Sequence, residues 1–81
     1  MTTIEQEEKQ IVQMLFNEYH TLLLEPLVTA PIVKKTESTL RADRDKGKGI
    51  PVTKHVHGAR QAKVYYSIYD IAKYIIGQRA S

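Results

Sequence analysis

No cysteine occurs among the 81 residues. That excludes a disulfide framework and removes thiolates both as nucleophiles and as metal ligands. A chain this short buries only about 60% of the surface its unfolded form exposes, which leaves it marginally stable. Folding must rest on apolar packing, with self-association or a ligand as the remaining sources of support. The lack of cysteine suits a reducing cytosol. Long apolar runs are missing too: "LLL" at 22–24 is far too short to span a bilayer. The N-terminus, "MTTIEQEEKQ", is acidic, the reverse of the cationic start of a signal peptide. The expectation is a soluble, cytoplasmic protein of one small domain, with no membrane partner.

The signatures of nucleotide chemistry and catalysis are absent as well. "DKGKGIP" at 45–51 sets glycines beside lysines, but a Walker loop needs G-x-x-x-x-G-K-[ST] opening a helix. A dinucleotide fingerprint would need a third glycine where Val52 stands. The glycines read instead as a helix stop at Gly47 and a swing into a strand at Gly49. His55 and His57 would project from one face of a strand, the start of a metal pair. The only other histidine is His20, far away in the first helix, so solvated or phosphate-contacting histidines are the better reading. Asp43 and Asp45 are two apart on an expected helix and do not share a face. They read as surface charges beside Arg44 and Lys46. Ser38 and Thr39 have no histidine near in sequence to activate them. Nothing asks for an enzyme, a cofactor or a metal.

What the chain does have is separated charge. Residues 1–30 hold five glutamates and one lysine, whereas 31–63 hold nine lysines and arginines against three acids. The net charge is +3. Such a division points to one half that faces a polyanion and another with a different task.

The hydrophobic periods divide the chain further. Ile4, Ile11, Leu15, Tyr19 and Leu22 recur at helical spacing, with Val12, Phe16 and Leu23 beside them. Thr2 with Glu5, or Thr3 with Gln6, fits a capping box, and Glu25-Pro26 is a stop. The expectation is a long helix over about 3–25. Thr29 then reads as the cap of a short helix with Pro31 in its first turn. A second short helix follows over about 37–46, anchored by Leu40 and ended by Gly47. It has little apolar surface, so it needs a purpose other than filling a core. "IPVTKHV" and "AKVYYS" alternate around the polar "HGARQ", which reads as a hairpin with Pro51 at a strand start. Ser67-x-x-Asp70 opens a last helix with Ile68, Ile71, Ala72, Ile75 and Ile76 as its stripe and Gly77 as its end.

The basic residues fall on two of these elements. Lys34, Lys35, Ser38, Thr39, Arg41, Arg44 and Lys48 lie on or beside the second short helix. Lys54, His55, His57, Arg60 and Lys63 lie on or beside the hairpin. A positive helix can enter a major groove, where arginine suits guanine, and a positive hairpin can meet the adjacent groove or the phosphates. Tyr65, Tyr66, Tyr69 and Tyr74 have the look of an aromatic RNA platform, but packing around a helix start is the better reading. Two short tandem helices followed by a hairpin have the order of a helix-turn-helix with a wing.

At "STLRADRDKGKGIPVTK" and "VYYSIYDIAKYI" the chain resembles the small winged-helix proteins of phages and mobile elements. These are the excisionase and AlpA-like regulators, distantly related to the DNA-binding part of MerR activators. The resemblance covers about residues 27–76. It rests on Thr39-Leu40 opening the recognition helix, Arg41 and Arg44 within it, and Gly49-Ile50-Pro51 leading into the wing. Lys54 on the first strand, Tyr66 four residues before Asp70, and the late Tyr74 complete it. "APIVKKTES" departs from the family pattern, being shorter and lacking a glycine.

The resemblance implies a winged helix-turn-helix over 27–81; with the amphipathic N-terminal helix over 1–26, which lies outside the family core and would serve packing or self-association, the expected fold is α+β and mostly helical. It implies sequence-specific binding of double-stranded DNA without catalysis, in excision or in transcriptional regulation. A recombinase would be a partner in the former role. One short recognition helix makes few base contacts, so a homodimer or cooperative oligomer is expected on DNA. The competing expectation is a protein-interaction module working through the N-terminal helix.

Overall fold

The N-terminal helix ends seven residues before Pro26, and its ending shapes everything after it. In a computed structural model, which describes residues 3–57 and 61–80 and, among these, the side chains of all but 54–57, 61–62 and 79–80, α1 spans Thr3–Tyr19. His20 takes a left-handed φ of 55°. Its N–H donates to the Phe16 carbonyl at 2.7 Å. That is a left-handed helix cap, usually the province of glycine. Freed from the helix, Leu23–Leu24 form the two-residue strand β1. The expected helix to residue 25 is thus replaced by a strand over its last turn. A leucine run fits either period, and here sheet pairing decides. Leu24 is buried, while Leu22 and Leu23 stay exposed. Thr2, half of one expected capping box, lies outside the described residues.

Helix α2 runs over Pro26–Ile32. Glu25 before it is extended (φ −69°, ψ 156°), as a residue preceding proline must be, and Pro26 occupies the first turn, where no N–H is needed. Thr29 is not its cap. It sits fully buried in mid-helix, and its Oγ1 donates back to the Glu25 carbonyl at 2.9 Å. Pro31 falls in the last turn instead of the first.

Helix α3 spans Glu37–Asp45. Thr36 caps it, its Oγ1 accepting from the Thr39 N–H at 3.1 Å. Both short helices end in the same way. After α2, Lys34 N–H donates to Pro31 O and Lys35 N–H to Ala30 O; after α3, Gly47 N–H donates to Arg44 O and Lys48 N–H to Asp43 O. Each is a Schellman ending with a left-handed residue at its corner. The corner residues are Lys34 (φ 58°) and Gly47 (φ 70°).

Strands β2 (Thr53–His57) and β3 (Gln61–Ser67) pair antiparallel, with Thr53 opposite Tyr65 and His57 opposite Gln61. β1 adds to the other edge of β3, Leu24 opposite Tyr66, so the sheet order is β1-β3-β2. Helix α4 spans Ile68–Ala80, and Ser67 Oγ accepts from the Tyr69 N–H at 3.1 Å at its start. α1 packs along α4. Among the described side chains the core is formed by Leu15, Leu24, Ala30, Leu40, Tyr66, Ile68 and Ile71, with Ile50 from the turn before β2.

Gly77 does not end α4. It has no positive φ, and a methyl group placed on it would meet nothing within 4 Å. A glycine permits a helix end without compelling one. Gly77→Ala is therefore expected to stabilise the protein by about 0.5–1 kcal/mol. A raised urea midpoint would show it, and a lowered one would mean that the helix breaks there.

Candidate nucleic-acid interface

Helix α3 lends one side chain to the core, Leu40, at 2% exposure. Asp43 and Arg44 are half-buried on its flanks, and Glu37, Ser38, Thr39, Arg41, Ala42 and Asp45 are exposed. A helix turns about 100° per residue, so Ser38, Ala42 and Asp45 lie on the side facing away from Leu40, with Arg41 exposed on its flank. The structure separates the two arginines that sequence reasoning grouped together. Arg41 stands outward, with no ion pair or hydrogen bond among the described residues. Arg44 turns inward: its Nη1 donates to the Tyr66 hydroxyl at 2.8 Å, with the guanidinium carbon 5.8 Å from the ring centre. Tyr66 is only 1% exposed, so this bond satisfies a buried hydroxyl and ties α3 to β3.

Asp43, read from sequence as a surface charge, is the junction of the two turns that flank α3. Lys35 Nζ lies 3.0 Å from its Oδ2, and Lys48 Nζ 4.0 Å from its Oδ1. The two lysines occupy equivalent positions of the two Schellman endings, one after α2 and one after α3. Lys35 also sits 4.9 Å above the centre of the Tyr74 ring, on α4. The Tyr74 side chain, and then the Asp43 carboxylate, hold the Lys35 ammonium above its ordinary pKa. The hydrogen bond from Lys35 holds Asp43 below the usual carboxylate value, with the charges of Lys48 and Lys46 adding to it against partial desolvation.

A pH dependence follows from these directions. Asp43 is depressed in the folded state, so its contribution is present above the unfolded value of about 4 and is lost as pH falls through the folded value. Lys35 is raised, so its contribution is present below the unfolded value of about 10.4 and is lost as pH rises through the folded one. The stability advantage of the wild type over Asp43→Asn should therefore vanish on acidification below about pH 4. Thermal melts of both proteins across that range test this; an advantage that persisted undiminished at pH 2 would contradict it.

The remaining residues expected to contact DNA are distributed as follows. Ser38 is exposed on the outward face of α3. Thr39 is exposed too, but its Oγ1 shares a 2.9 Å hydrogen bond with Thr36 Oγ1. Lys35 is engaged internally as above, and Lys48 is largely exposed despite Asp43. Lys63 is exposed on β3, where the register sets it opposite His55. Lys54, His55 and His57 lie on β2, with their side chains outside the described set, and Arg60 lies outside the described residues. The tyrosines divide: Tyr66 is core, Tyr74 lies under Lys35, Tyr65 is half-buried and Tyr69 is exposed.

Sequence reasoning missed Asp43 and Tyr66 as organisers of α3. Gly49 carries the one local signal that was available. Its φ is 82°, and a Cβ there would come within 3.0 Å of Asp43 Cβ. The glycine admits the Asp43 side chain against the turn. Among the described residues no group of histidines, aspartates and glutamates could hold a metal ion, and no helix is long and apolar enough to cross a membrane. Compared with known proteins, the chain matches no family model, no curated protein and no solved structure.

Proposed function

We propose that the protein binds duplex DNA sequence-specifically as a winged helix-turn-helix. α2 and α3 are the helix-turn-helix, α3 is the recognition helix, and the β2–β3 hairpin is the wing on phosphates or in the minor groove. The observation that carries this reading is the economy of α3: one core side chain, an outward face flanked by an unpaired arginine, and a lysine-bearing turn at each end. A helix of nine residues is about 14 Å long, enough for three or four side chains to reach base edges in a major groove. Binding as a pair or cooperatively follows from so small a footprint. The resemblance of residues 27–76 to excisionase and AlpA-like regulators supports a role in excision or transcriptional control of a mobile element, with a recombinase as partner in the first case.

Selection of duplexes from a random pool tests the reading. A consensus in two half-sites is the expected result, and no enrichment would end it. Affinity should also fall steeply between low and physiological salt.

A second reading has its own observation. Ile4, Met14, Phe16, Leu22 and Leu27 remain exposed although α1 packs on α4. On that reading the N-terminal region binds another protein and the basic half is incidental. Intact duplex selectivity in a Met14→Lys, Leu27→Lys variant would separate DNA recognition from this surface.

A further inference from the structure

The turn between α3 and β2 encloses an open cleft of about 330 Å³ lined by Arg44, Lys48, Gly49, Ile50 and Pro51, among others. We infer that this cleft is a seat for a single phosphate. On the DNA-binding reading, on which its natural ligand rests, that phosphate is one phosphodiester of the duplex backbone beside α3.

Four donor groups belong to residues that line it. Arg44 spends one edge of its guanidinium on Tyr66, and a guanidinium has five N–H donors, so the rest of the fork is available to the cleft. Lys48 brings an ammonium that is largely exposed. The backbone N–H groups of Gly49 and Ile50 have no acceptor among the described residues. Gly49 takes a φ of 82°, and both it and Ile50 line the cleft. Pro51 has no N–H, so the run of donors stops there.

Two sources of negative charge stand near, and neither occupies the cleft. The carbonyls at the end of α3 are capped, Arg44 O by Gly47 and Asp43 O by Lys48. The Asp43 carboxylate lies against Gly49 but does not line the cleft, and Lys35 matches its charge at 3.0 Å. Two cations, of which Lys48 is only loosely held by Asp43 at 4.0 Å, and two N–H donors fit the charge and the acceptor-only oxygens of a phosphate. Arg44 is on this view a phosphate ligand and a positioning residue for α3, while base reading falls to Arg41.

The test follows the Gly49 and Ile50 amide resonances of the full chain, first with inorganic phosphate and then with a random-sequence duplex. In parallel, the salt dependence of duplex affinity is measured for the wild type and for Lys48→Gln. Both ligands should move the two amides. Lys48→Gln should lower the slope of log affinity against log salt by about 0.9, one phosphate's share. Movement with duplex alone would assign the seat to the diester of the DNA backbone and uphold the inference. Movement with phosphate in a protein that binds no duplex would uphold the seat and end the DNA reading. Duplex binding with both amides unmoved and the Lys48→Gln slope unchanged would overturn the inference and leave the DNA reading standing.

Discussion

If the protein reads duplex DNA as proposed, Arg41→Ala is expected to lower affinity for the selected duplex by about 1–3 kcal/mol, roughly five- to 150-fold, with no change in melting temperature. The argument is one of elimination on α3. Leu40 is buried, Asp43 is bound to Lys35, and Arg44 is bound to Tyr66. Arg41 is the only arginine of the helix that reaches solvent without a partner among the described residues. A guanidinium offers the two-pronged donor that guanine accepts at O6 and N7, and lysine does not reproduce that geometry. Arg41→Lys should therefore retain affinity for random duplex while losing much of the preference at one base position. A surface arginine with no contact contributes little to folding, so the melting temperature serves as the control. Should Arg41→Ala weaken selected and random duplexes equally, the residue touches phosphate, and the face of α3 that reads bases has been misassigned.

Arg44→Ala should behave differently, and the contrast comes from packing that local sequence does not reveal. It strips the partner from a buried tyrosine hydroxyl, so stability and DNA affinity should fall together. Arg41 and Arg44 are three apart in one helix, alike in type, and nothing in their neighbours distinguishes them. The distinction is made by Tyr66, 22 residues further along. The same holds for α1. Its cap at His20 uses a residue that only occasionally takes left-handed φ, and the strand that follows is defined by partners at Ser67 and Tyr66. Where the determinant is local, the sequence was legible: the Gly47 ending, the start of α4 after Ser67 and the alternation of β3. The candidate site divides on the same line. That α3 is a basic helix with one anchor could be read directly, while the Lys35–Asp43–Lys48 junction depends on two turns closing on one carboxylate. Gly49 hinted at that closeness, but a glycine alone does not say which side chain it admits.

Leu40→Ala is expected to have the largest effect on stability, a loss of about 2–5 kcal/mol. A domain of this length has a total on the order of 4–12 kcal/mol, so the variant is at risk of unfolding at physiological temperature. Each kcal/mol corresponds to about 4–8 °C for a domain of this size, so the melting temperature should drop by at least about 8 °C. The size of the effect follows from how little else holds α3. Its apolar attachment is this one leucine; the rest is the Arg44–Tyr66 bond and the ion pair to Lys35, which is partly open to solvent and correspondingly weak. Hydrogen exchange should report the loss first in α3 and its two flanking turns, and later in α4, whose Ile68 and Ile71 remain packed. Leu40→Met, close in volume, should cost less than about 1.5 kcal/mol and keep DNA binding. An alanine variant that lost under about 1 kcal/mol would mean that α3 is held by its polar contacts after all. The inward pull of Arg44 and Asp43 would then be the main anchor of the helix.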